Sequence, residues 1–147
     1  MGLFGLFGKK KMTLADADAV NDKVIAGSTA KDNENQRMRD ASKALTSQNY
    51  AESIKMYQSL ADDYPAKKSL YLGQAGAGWF FLGNYGEAIK CYTMAMDGDT
   101  AGMMDDNIWE ASEAQYNQNK DIAAIEGYLK LYPNGRYKKK AEKILQG

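Results

Sequence analysis

Apolar residues recur along most of the chain at intervals of three and four, the spacing that places them on one face of an α-helix. In the segment LGNYGEAIKCYTMA the positions i, i+4 and i+7 are Ala88, Tyr92 and Ala95. Gly83 and Asn84 come just before this pattern, and both are residue types that interrupt helices. The pattern therefore predicts two helices joined by a tight turn at Gly83 and Asn84.

The same arrangement occurs three times. The predicted hairpins span about residues 34–66, 69–100 and 105–133, and their second helices begin at Tyr50, Tyr85 and Asp121. Thr13 is a suitable N-cap for an extra helix over 14–26. A short lysine-rich helix over 136–146 follows the last hairpin, and we expect it to cap the array.

Three glycines lie inside the first helix of the middle hairpin. Gly73, Gly76 and Gly78 each cost about 1 kcal/mol relative to alanine in a helix interior. Such a cost indicates that a neighbouring helix approaches closely. We expect the second helix of the same hairpin to be that neighbour.

Composition is that of a soluble globular protein. The chain has 147 residues, of which 44% are apolar and 26% charged, and its formal net charge is zero. This length fits one domain over residues 13–147. A neutral chain has no overall field that would attract nucleic acid. Cys91 is the single cysteine, which excludes an intrachain disulfide. With no membrane-spanning run and no signal peptide pattern, we expect a cytoplasmic location.

The segment 1–12, MGLFGLFGKKKM, combines apolar and basic residues. Its closely spaced glycines favour a flexible tail without helical structure. The alternative is a weak, reversible membrane-surface tether, in which apolar rings enter the interface and lysines contact anionic lipid. The residues of that tether would be Phe4, Phe7, Lys9, Lys10 and Lys11.

No catalytic or metal-binding pattern is present in the sequence. The absence of histidine removes the commonest general base and the usual zinc ligands. Asp97, Asp99, Gly102 and Asp105 match part of a calcium loop, but Ile108 stands where the bidentate carboxylate is needed. We expect no enzyme activity, no cofactor and no metal site.

Charge is segregated along the chain. Residues 97–113 carry six acidic and no basic side chains, whereas residues 136–143 carry five basic ones and a single Glu. Two solvated faces at different ends of the array explain this distribution. The alternative is an acidic surface that binds a partner.

The middle hairpin resembles the tetratricopeptide repeat, a helix–turn–helix module of about 34 residues. It carries the small and aromatic residues of that family at Gly76, Trp79, Ala88, Tyr92 and Ala95. The string AIEGYLKLYPNGRYKKKAEKIL is similar to bacterial, envelope-associated members. The resemblance implies an all-α fold: a right-handed α-α superhelix of about three such hairpins, an extra N-terminal helix and a C-terminal capping helix.

In that family the first helices of the repeats line a concave groove that binds protein segments. Carried over by position, the resemblance implies a groove formed by Met38, Ser42, Leu45, Leu70, Ala77, Phe80, Phe81, Asp106, Trp109, Glu113 and Tyr116. Because a helix turns by about 100° per residue, the consecutive rings of Trp79, Phe80 and Phe81 cannot all face one core. A ring that points away would anchor a partner, or pack on the N-terminal helix or on a second copy.

These features predict an adaptor or scaffold that binds a peptide or helix of a partner protein. An apolar groove with an acidic rim would favour a basic, amphipathic segment. Two other hypotheses are a homo-oligomeric structural protein and a peripheral membrane adaptor held by residues 1–11.

Overall fold

The computed structural model describes residues 29–147, and within that range the chain is all-α. The helices are α1 (Thr29–Thr46), α2 (Tyr50–Asp63), α3 (Lys68–Phe81), α4 (Tyr85–Ala95), α5 (Met103–Asn119), α6 (Ala123–Leu131) and α7 (Lys138–Leu145). Short 3₁₀ turns at Pro65–Lys67 and Met96–Gly98 follow α2 and α4. The predicted tail, the predicted helix over 14–26 and the tether residues lie outside the described range.

Each helix packs on the helices that precede and follow it in the chain, so α3 lies between α2 and α4.

The turns before Tyr50 and Tyr85 fall where the sequence predicts them. Gln48 and Gly83 adopt the left-handed conformation, with φ of 66° and 81°, and the side chain of Asn84 accepts the Glu87 N–H at 3.2 Å to cap α4. No described helix has the length and apolar character needed to cross a membrane.

Helix α6 begins two residues later than the sequence predicts, at Ala123. The carboxylate of Asp121 accepts the N–H of Ala123 at 3.0 Å, so Asp121 lies before the helix and helps to begin it. Lys120 ends α5 in the left-handed conformation, with φ of 59°.

The core is built from tyrosines surrounded by small residues. Tyr57, Tyr92 and Tyr128 are at most 1% exposed, and they follow one another at intervals of 35 and 36 residues, each in the second helix of a hairpin. The same core cluster contains eight alanines, namely Ala41, Ala61, Ala75, Ala77, Ala88, Ala95, Ala111 and Ala141. Large rings fit between closely spaced backbones because the facing positions are small.

The glycines of α3 differ from one another. A Cβ on Gly76 would lie 2.5 Å from the Tyr92 ring of α4, which confirms the predicted close approach within the hairpin. A Cβ on Gly78 would lie 2.6 Å from Ile54 Cγ1, so that glycine serves the packing of α3 on the preceding hairpin. At Gly73 the nearest atom is Met104 Cε, at 3.7 Å. The explanation by close packing is therefore wrong for Gly73.

Helix α3 contacts α2 through one of its faces, and the corresponding face of α1 has different chemistry. Tyr71 and Gly78 make that contact in α3, and the equivalent places in α1, 35 residues earlier, are Gln36 and Lys43. Gln36 bonds to Asp40 at 2.9 Å along this face of α1. The face is therefore polar and lacks the apolar residues of a repeat interface.

Gly76→Ala should destabilise the protein by about 1 to 3 kcal/mol, because the added methyl group would overlap the buried Tyr92 ring. The matched control is Gly127→Ala in α6, where a Cβ meets nothing within 4 Å. This control should stabilise by up to about 1 kcal/mol through helix propensity. Urea unfolding followed by circular dichroism measures both changes, and equal effects would contradict the close-approach explanation.

Candidate functional site

The predicted groove residues divide into buried and accessible groups. Leu45, Ala77 and Trp109 are at most 2% exposed, so they belong to the core and present no surface to a partner. Phe81 is 39% exposed. The remaining predicted positions are partly exposed, and they are Met38, Ser42, Leu70, Phe80, Asp106, Glu113 and Tyr116. Three of the predicted groove positions are therefore inaccessible to a partner.

Trp109 is buried beneath Tyr137, the residue just before α7. Its indole stacks on the ring of Tyr137, with centroids 5.3 Å apart and planes 7° apart, and meets the edge of Tyr128 at 5.1 Å. The repeat pattern places Trp109 in the groove but carries no information about where the final helix docks. The partner of Trp109 is therefore the C-terminal cap of the same chain.

Two acidic residues that the sequence left open for partner binding hold this cap in place. Asp105 accepts hydrogen bonds from Tyr128 Oη at 2.5 Å and from the Arg136 backbone N–H at 3.0 Å. Asp106 accepts from the Arg136 guanidinium at 2.9 Å and from Tyr137 Oη at 2.7 Å. These carboxylates pair with the basic end of their own chain, which explains part of the charge segregation.

Asp99 also has a structural use. Its two carboxylate oxygens accept the N–H groups of Met103 and Met104, at 2.8 and 2.7 Å, and so cap the start of α5. Within residues 29–147 no three acidic, Cys or His side chains come together as a metal site.

Cys91 is 3% exposed, and burial and the nearby Glu87 raise the pKa of its thiol to about 11. A thiol with this pKa is protonated near neutral pH and is a weak nucleophile.

Aromatic side chains gather at the surface where α3 ends and α2 and α4 begin. The Phe81 ring stacks on Tyr50 with centroids 5.4 Å apart, and the Phe80 ring meets Tyr85 edge-on at 5.3 Å. Leu82, the next residue, is 48% exposed. We call these five residues (Tyr50, Phe80, Phe81, Leu82 and Tyr85) the turn-end shelf. It brings together two predicted groove residues, Phe80 and Phe81, with three that the sequence did not single out.

An uncharged cleft of about 400 Å³ adjoins the turn-end shelf. It lies between the start of α4 and the end of α5, and we call it the amide cleft. Its lining consists of Leu82, Gly83, Asn84, Tyr85, Gly86, Gln115, Gln118 and Asn119. Gln115 Oε1 is buried and accepts no hydrogen bond from the described residues. A primary amide both donates and accepts, so the cleft can pair with neutral polar groups.

Sequence reasoning missed the amide cleft because Gln and Asn near a helix end are ordinary surface residues. The one available signal is that Gln115 and Gln118 are three residues apart, which places them on the same face of α5. Only the packing of α5 against the start of α4 joins them to Asn84.

Glu34 is a further buried carboxylate outside the predicted site, at 6% exposed. It accepts a hydrogen bond from Tyr71 Oη and pairs with Lys67 Nζ at 2.9 Å, which ties α1 to the start of α3. Burial acts to raise the pKa of Glu34, but the hydrogen bonds from Tyr71 and Lys67 outweigh it, and the pKa is lowered.

Comparisons with protein-family models, with curated proteins and with solved structures found no match to this chain. The interpretation of the site therefore depends on the residues and on the geometry described above. The resemblance to the tetratricopeptide repeat likewise depends on the sequence pattern of the three hairpins.

The lowered pKa of Glu34 predicts a loss of stability in acid. Its contribution is present above the unfolded-state pKa of about 4.3 and is lost as pH falls through the lower folded-state pKa. Glu34→Gln should therefore reduce the free energy of unfolding at pH 7 more than at pH 3, measured by urea titration. Glu52→Gln, at an exposed site on α2, is the control. An equal loss at both pH values would contradict the prediction.

The turn before α7 should not tolerate a side chain at Gly135. A Cβ there would lie 2.7 Å from Tyr132 Cβ and 3.1 Å from Asp105 Oδ1, beside the Tyr128 hydroxyl. Gly135→Ala should destabilise by about 2 kcal/mol or more through overlap and loss of the hydrogen bond from Tyr128 Oη to Asp105. Asn134→Ala, at the exposed neighbouring position, should change stability by less than about 0.5 kcal/mol. Thermal unfolding would detect the difference, and similar values for the two variants would count against this role of Gly135.

Proposed function

We propose that this chain is a helical-repeat protein of the tetratricopeptide type that acts as an adaptor and binds a segment of another protein. Three features support a repeat: helical hairpins follow one another, their turns fall where the pattern predicts, and Tyr57, Tyr92 and Tyr128 recur at one buried place. A right-handed superhelical path of the hairpins is part of this proposal.

The observation that carries the binding role is the exposed turn-end shelf beside the amide cleft. Phe81 and Leu82 are 39% and 48% exposed although both are large and apolar. Exposed apolar residues that cluster on a surface are characteristic of interaction sites. Rigid aromatic rings supply contact area with little loss of conformational entropy, and they dominate binding energy at many interfaces.

The amide cleft defines the chemistry of the partner. No charged side chain lines it, whereas amide side chains match the N–H and C=O groups of an extended peptide backbone. Asp105 and Asp106, which belong to the acidic stretch 97–113, accept hydrogen bonds from Arg136, Tyr128 and Tyr137. We therefore propose an extended, uncharged segment with an apolar anchor, in place of the basic helix that the sequence favoured.

The shelf and cleft correspond to one end of the groove that the resemblance implies. Phe80 and Phe81 end α3, and Tyr116 lies near the end of α5, so all three belong to the turn end of the hairpins. Lys120 Nζ lies 5.0 Å from the centre of the Tyr116 ring, which places one cation beside the uncharged cleft.

Phe81→Ser should weaken binding of a peptide selected against the full-length wild-type chain from a random display library. We expect a loss of ten-fold or more in Kd, about 1.4 kcal/mol or more, because the anchor loses its apolar contact. Fluorescence anisotropy of the labelled peptide measures this change. Met94→Ser, at a 51% exposed apolar site in the last turn of α4, is the matched control.

Two results would contradict this proposal. An equal loss of peptide binding in Phe81→Ser and Met94→Ser would show that the shelf is not the site. Light scattering provides the other test, since a wild-type dimer that becomes monomeric in Phe81→Ser would assign the shelf to self-association. A homo-oligomeric structural protein would then be the better description.

A further inference from the structure

The segment 1–8, MGLFGLFG, has the chemistry that suits the turn-end shelf and the amide cleft. It carries no charged side chain, and every third residue is glycine. Phe4 and Phe7 are the only aromatic residues in the sequence 1–28, and the shelf holds the other two phenylalanines of the chain. This segment lies outside the range 29–147 that the structure describes.

The glycine period determines how the segment presents its rings when the chain is extended. Gly2, Gly5 and Gly8 are three residues apart, and so are Phe4 and Phe7. A polyproline II helix has three residues per turn and rises about 3.1 Å per residue, so both rings would lie on one face, about 9 Å apart along the axis. The backbone of that conformation forms no internal hydrogen bonds, and glycine leaves its N–H and C=O groups open to a partner.

The turn-end shelf presents two pairs of rings side by side. Phe81 stacks on Tyr50, Phe80 meets the edge of Tyr85, and the centroids of the two phenylalanines are 5.8 Å apart. Gln118, exposed at the end of α5, lines the adjoining amide cleft. Its primary amide both donates and accepts, so it matches the backbone groups of an extended segment.

The chain between this segment and α1 is long enough to reach the shelf. Helix α1 begins at Thr29, and its 18 residues extend about 27 Å toward the turn that precedes Tyr50. The connecting residues are 9–28. If 14–26 form the predicted helix, that helix spans about 20 Å, and the five residues before it and the two after it add about 23 Å when extended. This reach exceeds the length of α1 by more than one interhelical distance of about 10 Å.

We propose that the segment 1–8 docks on the turn-end shelf of its own chain, with Phe4 and Phe7 against the rings of the shelf and the glycine backbone beside the amide cleft. The inference rests on the proposed function, because it takes the shelf as the site where a partner binds. A tethered segment has a local concentration of about 1 mM, so weak contacts suffice to fill the shelf. A partner must displace the segment, which makes it a competitor within the same chain.

The first test observes both sides of this contact by fluorine NMR. The full chain is labelled with 4-fluorophenylalanine, and each of its four signals is assigned by replacing one phenylalanine at a time. The double variant Phe4→Ser, Phe7→Ser should shift the signals of both Phe80 and Phe81, because the shelf loses its cover.

The matched control is the double variant Val24→Ser, Ile25→Ser, which removes two large apolar side chains from the same part of the sequence. It should leave the two shelf signals in place. In the other direction, Phe81→Ser should shift both signals of the segment 1–8, whereas Met94→Ser in α4 should shift neither.

The peptide selected from the display library supplies a second readout. It should bind the Phe4→Ser, Phe7→Ser chain about five-fold or more tightly than the wild type, because its tethered competitor is lost. The Val24→Ser, Ile25→Ser control should bind the peptide as the wild type does. Fluorescence anisotropy measures each Kd.

Three results would overturn the proposal. Unchanged Phe80 and Phe81 signals in the Phe4→Ser, Phe7→Ser chain, or an unchanged Kd, would show that the segment does not dock. Shifts of the shelf signals in the control variant alone would assign the shelf to the predicted helix over 14–26. Shifts that disappear on dilution, together with a dimer in light scattering, would assign the docked segment to a second copy.

These results are distinguishable from a failure of the proposed function. Weaker peptide binding in Phe81→Ser than in Met94→Ser would still support the shelf as the site for a partner, whatever the substitutions at Phe4 and Phe7 do.

Discussion

The packing of α3 is the constraint on which the rest of the described structure depends. Eight consecutive residues of this helix, from Tyr71 to Gly78, are buried. Because a turn of helix has 3.6 residues, a buried run of this length is covered on every side. Covering of this kind requires close neighbours on several sides, and Gly76 and Gly78 allow it by leaving room for Tyr92 and Ile54. The central helix therefore presents only its two ends to other molecules.

This constraint explains why the accessible surfaces of α3 lie at its ends. At the end of α3 the chain must leave the core, so Phe81 and Leu82 remain partly in solvent. At its beginning, Ser69 and Leu70 line a cavity beside the loop that leads to α5.

Two tyrosine hydroxyls donate to carboxylates of another helix. Tyr71 donates to Glu34 between the first and second hairpins, and Tyr128 donates to Asp105 within the third hairpin. A buried hydroxyl needs a partner, and in both pairs the partner comes from outside the tyrosine's own helix. Acidic residues thereby become part of the packing, and Asp105 and Asp106 accept hydrogen bonds from their own chain.

Much of the helical framework could be predicted because it depends on local chemistry. The period of the apolar residues, the turn residues Gly83 and Asn84, and the burial of Ala88 and Tyr92 all follow from interactions within a few residues or within one hairpin. The hydrogen bond from the Ala123 N–H to the Asp121 carboxylate is also local. The sequence nevertheless predicts the start of α6 two residues early, because an aspartate before a helix and one inside it look alike in sequence.

The sequence by itself determined the class of fold, the turns and the close approach at Gly76, since spacing and residue size decide each of these. The tertiary structure alone decided which residues remain accessible. Trp109 is hidden because Tyr137, just before α7, stacks on it, and Gln115 lines one cleft with Asn84 because α5 packs on α4. The physical reason is that exposure depends on contacts between distant segments, and a helical pattern specifies a face without specifying what covers it.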